Sequence, residues 1–141
     1  NDKKLNKLIL LLVFLGLNLN VFAQEVKIKK DVVYVDGVES LNVGGDMNNV
    51  SFYDLEGNEI IFMSYIHDSK YGSLYTKTTF LDINKSFTNM TYIFTKKDLI
   101  KKLIENKVLV NGKIDPEKAE RFITKYDEQV EKESLIIEIK Q

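Results

Sequence analysis

From Glu25 to about Phe94 the chain alternates apolar and polar residues with a period of two, interrupted at short intervals by turn formers. Successive strand side chains point to opposite faces, so this alternation specifies half-buried strands; a helix would scatter the same residues around its surface. Val26 and Ile28 alternate with Lys27 and Lys29. The runs Val32-Val33-Tyr34-Val35 and Val38-Glu39-Ser40-Leu41-Asn42-Val43 flank Asp36-Gly37. A type I′ turn needs positive φ at both central residues, which Asp-Gly supplies, so a hairpin is expected there. Its register pairs Val35 with Val38, Tyr34 with Glu39 and Val32 with Leu41.

Residues 44–49, beginning Gly44-Gly45-Asp46, read as a loop. A second hairpin joins Val50–Asp54 to Glu59–Ile66 around Leu55-Glu56-Gly57-Asn58. The run Ile60–Ile66 is apolar on both faces, which predicts a central strand covered on each side. After a loop from His67 to Gly72, strands are expected over Leu74–Leu81 and Phe87–Phe94.

At Thr95 the period changes. Thr95-Lys96-Lys97-Asp98 resembles a capping box with Asp in place of Glu, and Leu99, Ile100, Leu103 and Ile104 then share one helical face. Asp115-Pro116 supplies a second helix start, with an Asp N-cap and proline at the first helical position. Ala119, Phe122, Ile123, Tyr126 and Val130 form its apolar stripe, and the helix is expected to end near Glu133. Leu135–Ile139 alternates again. The fold class is therefore α+β: an antiparallel sheet of about six to eight strands with a C-terminal helical pair packed on one face. A half-open barrel with the helices across one end is the alternative. Residues 24–94 supply the β-rich half, 95–133 the helical pair and 134–141 a closing strand.

The N-terminal segment has its own logic. Lys3, Lys4 and Lys7 precede the apolar run Leu8–Leu17, and Val21-Phe22-Ala23 precedes Gln24. This is the basic, apolar and small-residue order of a cleavable secretory signal over residues 1–23. The run is too short for a spanning helix, which takes ~20 residues, so no membrane span is expected after cleavage. Frequent Lys and Asn, a single arginine (Arg121) and the leader together resemble exported proteins of Gram-negative bacteria. A periplasmic or secreted location follows as an expectation.

Composition narrows the chemistry. The chain has no cysteine and one histidine, so it has no means of forming disulfides, thiolate zinc sites or multi-histidine metal cages. Twenty basic residues against twenty-one acidic ones give no field for nucleic acid. Lys96, Lys97, Lys101 and Lys102 read as a solvated helix face shared with Asp98 and Glu105. The segment from Asp82 has an EF-hand-like start but Phe87 where the loop needs glycine and Ile93 where it needs glutamate. No cofactor is indicated. His67-Asp68, with Tyr65 before and Tyr71 after, is the cluster best suited to acid–base or ligand chemistry, and these four residues are the candidate ligand surface. No catalytic constellation accompanies them, and no Gly-x-Ser-x-Gly elbow occurs. The expected function is an exported, non-enzymatic binding domain of the bacterial envelope whose partner is an envelope protein, a polymer or a small ligand. A small-molecule carrier or hydrolase-like enzyme with its site near the 67–72 loop is the alternative.

Overall fold

A computed structural model describes residues 24–132 together with Lys3, Lys4, Asn6 and Lys7. Seven antiparallel strands follow one another in space in chain order: β1 (Val26–Lys29), β2 (Val32–Val35), β3 (Val38–Gly45), β4 (Asn49–Tyr53), β5 (Glu59–Ser69), β6 (Gly72–Phe80) and β7 (Lys85–Asn89). Helix α1 (Lys96–Glu105), a short hairpin of β8 (Leu109–Val110) and β9 (Lys113–Ile114), and helix α2 (Pro116–Tyr126) complete the fold. The expected α+β class is observed. Among the described residues the sheet is open, because β1 and β7 are not paired with each other. The remainder of the segment expected to be a leader, and the expected closing strand over 134–141, lie outside the described residues.

Alternation decides which face is buried. Val33, Leu41, Val43, Val50, Phe52, Ile61, Met63, Phe80 and Phe87 point to one side and meet Leu99, Ile100 and Leu103 of α1 and Ala119 and Phe122 of α2. Each such side chain, fully buried, contributes roughly 1.5–3 kcal/mol. Phe80, Phe87, Phe122 and Tyr126 form an aromatic chain, with Phe87 and Phe122 edge to face at 5.4 Å. α1 packs towards β1 and α2 towards β7, so the helical pair bridges the two margins of the sheet. The expectation of cover on both sides of β5 is corrected here: Met63 is buried against the helices, whereas Phe62, Ser64 and Ile66 on the other face are only half-buried. Their cross-strand neighbours Ser51, Thr79, Lys77 and Tyr75 supply that shielding.

Both helix starts form as their residues dictate. The Thr95 side chain accepts from the Asp98 N–H while the Asp98 carboxylate accepts from the Thr95 N–H. Asp115 caps α2 with Pro116 behind it. The Asp36-Gly37 turn has φ of 51° and 80°, and Val35 pairs with Val38.

Four local expectations change. Leu41 pairs with Val33, not Val32, because Ser40 is an extra residue bulged out of β3. β5 runs through His67 and Asp68 to Ser69, with the turn at Lys70-Tyr71. β7 stops at Asn89, whose buried carboxamide oxygen accepts from the N–H groups of Thr91, Tyr92 and Ile93 and turns the chain away. α2 ends at Tyr126 because the next residues serve β7: Asp127 accepts from the Thr88 N–H, the Glu128 N–H donates to the Thr88 carbonyl, and the Val130 N–H donates to the Thr88 hydroxyl. Glu131 then reaches the outer face, accepting from Lys77 Nζ and Tyr75 Oη at 2.8 Å each. This segment closes the exposed edge of β7.

The β8–β9 turn fits tightly against β3. Gly112 has φ of 73°, and a Cβ there would stand 2.7 Å from the Ser40 carbonyl oxygen. Gly57 has φ of 92° but open space around it. Gly57→Ala should therefore cost about 1 kcal/mol for the backbone conformation alone, and Gly112→Ala at least ~2 kcal/mol. Urea unfolding of the two variants checks this; equal losses would mean that the hairpin does not press on β3.

Candidate functional site

The four residues singled out in the sequence do not converge. Tyr65 lies on the helix-covered face, where its hydroxyl donates to the Phe94 carbonyl and burial pushes its pKa up. His67 is two residues along the same strand and exposed; its Nε2 lies 3.0 Å from Asn48 Oδ1. Asp68 is exposed at φ 51°. Tyr71 sits in the β5–β6 turn, with Lys70 Nζ 5.0 Å from its ring centre. The histidine is thus oriented by an amide from the β3–β4 turn, and no carboxylate among the described residues is bonded to it. Asp46, in that turn, accepts from the N–H groups of Asn48 and Asn49, which lowers its pKa. The Asp46 carboxylate serves the turn, as Asx residues commonly do.

A cleft of about 430 Å³ lies at the opposite end of the sheet. Its construction follows from two bulges. Ser40 in β3 and Ile60 in β5 are each the extra residue where the register shifts, so each is turned towards the helix side beside a regularly placed neighbour. The Asn111-Gly112 turn, with φ of 52° and 73°, lodges against Ser40. Ser40, Ile60, Gly112 and Ile114 thereby line the cleft, and the β4–β5 turn (Asp54, Leu55, Glu56), Asp82 and Lys113 complete it.

Three carboxylates thus stand against one ammonium. Asp54 is committed to its own turn: the Asn58 side chain and backbone N–H, followed by the Glu56 N–H, hold its carboxyl below the ordinary value of 3.8. No side-chain hydrogen bond or ion pair within the described residues engages Glu56 or Asp82. Ser40 is only 8% exposed, yet its hydroxyl has no hydrogen-bond partner among the described residues. Four large apolar side chains also lie in solvent at this end: Val38 after the β2–β3 turn, Leu55, Leu81 in the β6–β7 turn, and Val110 in the β8–β9 hairpin.

Of the cleft residues the sequence draws attention only to Asp82, as the start of a calcium-loop pattern that fails. Asn111-Gly112 is a visible turn signal, but the bulges that bring Ser40 and Ile60 to it leave no mark in the alternation. Among the described residues no group of three His, Asp or Glu side chains is placed to hold a metal ion, and no helix is long and apolar enough to cross a membrane. No protein-family model, curated protein or solved structure matches the chain.

The Asp54 turn should respond to acid. Its folded pKa lies below the ordinary 3.8, so its stabilisation is complete above that value and is lost as pH falls through the lower, folded-state value. Amide exchange of Asn58 should accelerate as pH is taken down from above 3.8 through the lower, folded-state value, relative to β5 amides and after correction for intrinsic rates. Unchanged protection would show that the carboxylate does not hold the rim.

Proposed function

We propose that this chain is a small, exported, non-enzymatic binding domain of a bacterial cell envelope, and that it meets its partner at the cleft end of the sheet. Export rests on the leader pattern of residues 1–23. Binding rests on one observation above the others: a cleft with an acidic rim has the solvent-exposed Leu55 in its lining and lies at the end of the sheet where Val38, Leu81 and Val110 are also exposed. Exposed apolar surface rimmed by polar residues marks interaction sites. The pairing of His67 with Asn48 favours this reading over a hydrolase centred on the 67–72 loop, since a neutral amide gives a histidine no carboxylate to hold an imidazolium.

Two measurements test the reading. The intact mass of protein recovered from native cells should correspond to a chain beginning at Gln24. The purified mature domain should leave a broad panel of esterase, glycosidase, phosphatase and peptidase substrates unchanged. Retention of the leader would contradict export. Turnover that His67→Ala abolishes would replace the binding reading with an enzymatic one.

A further inference from the structure

The cleft has chemistry enough to say what it would accept. We propose that it receives a lysine or arginine side chain presented by a polypeptide partner, with apolar residues of that partner resting on Leu55 and its neighbours. This rests on the binding reading above and makes it specific.

Charge is the first ground. Asp54, Glu56 and Asp82 surround the opening, Lys113 is the one cation among the lining residues, and Asp54 is held ionised by its turn. An incoming anion would face a net negative rim, whereas an ammonium or guanidinium would find uncommitted carboxylates at Glu56 and Asp82. The second ground lies deeper. Ser40 is nine-tenths buried as a residue and lines the cleft, and its hydroxyl, which solvent can still reach, has no hydrogen-bond partner among the described residues. A hydroxyl with its acceptor positions open to the cleft can take a hydrogen bond from a ligand's N–H. The third is the wall between: Ile60 and Ile114 are apolar and suited to the methylene stem of a long basic side chain, which commonly packs along apolar surface while its charge meets water or carboxylate.

Peptide is favoured over a free amine by what lies outside the cleft. Leu55 is 55% exposed, and Leu81 and Val110 are likewise in solvent. A small amine would leave these untouched; a basic residue flanked by apolar ones would cover them. The volume, about 430 Å³, accommodates one long side chain with part of its backbone.

The test uses the full chain, isotopically labelled, and two capped tripeptides, acetyl-Val-Lys-Val-amide and acetyl-Val-Glu-Val-amide. The lysine peptide should shift the amide signals of Ser40, Leu55, Asp82 and Gly112, with the glutamate peptide causing no shift there. Glu56→Gln combined with Asp82→Asn, both at exposed turn positions, should weaken the lysine peptide about three- to tenfold. Ser40→Ala should weaken it further while the spectrum of the free protein stays folded. n-Butylammonium binding as strongly as the peptide would overturn the polypeptide assignment. Equal shifts with both peptides, shifts confined to the outer sheet face, or none at all would overturn the site itself. None of these outcomes bears on whether the leader is removed or a substrate is turned over, so failure here leaves the broader binding reading to its own tests.

Discussion

One-sided burial is the constraint from which the rest of this molecule follows. Seven antiparallel strands present two wide faces, and the described residues that follow them supply two short helices and a hairpin with which to cover them. Spreading that cover over both faces would leave both wet. All of it therefore goes to one side, where Phe122 sits among Phe80, Phe87 and Tyr126 and where Leu99, Ile100 and Leu103 are sealed. The opposite face keeps Ser51, Ser64, Lys77, Thr79 and Thr88, with Phe62 and Tyr53 sheltered among them and Tyr75 buried where the segment after α2 brings Glu131 to its hydroxyl. Tyr53 leans over Gly44, where a side chain would meet its ring at 3.1 Å. Aromatic cover of a glycine is a common way to finish such a face.

The same constraint produces the cleft. A sheet bridged at its two margins by α1 and α2 leaves a gap near its middle strands, and the β8–β9 hairpin enters that gap from the helix layer. The bulges at Ser40 and Ile60 turn an additional side chain towards the hairpin from each side. The fit is tight on the Ser40 side, where only glycine suits position 112, and loose towards the β4–β5 and β6–β7 turns. The functional reading lives in that loose half.

Much of the fold was legible because local signals and tertiary needs agree. Asp36-Gly37 and the Thr95 and Asp115 caps each act through a few neighbouring residues, and each formed as read. What was not legible depends on distant partners. Val130 continues a helical stripe by spacing, yet its N–H goes to Thr88 on β7, so the helix stops four residues sooner. Asn89 looks like an ordinary strand residue until its side chain is seen collecting three N–H groups. The candidate site was missed for a like reason. His67 drew notice as the lone histidine, a property of composition; Ser40 matters through a bulge and a hairpin more than seventy residues away in sequence.

One-sided burial is most directly tested by comparing two truncations from the two faces in urea. Phe122→Ala removes a ring from the covered face and should cost about 3–5 kcal/mol, while Phe62→Ala on the outer face should cost under ~1.5 kcal/mol. Comparable large losses from both would mean that the outer face is also packed, and the account of how this sheet is covered would be wrong.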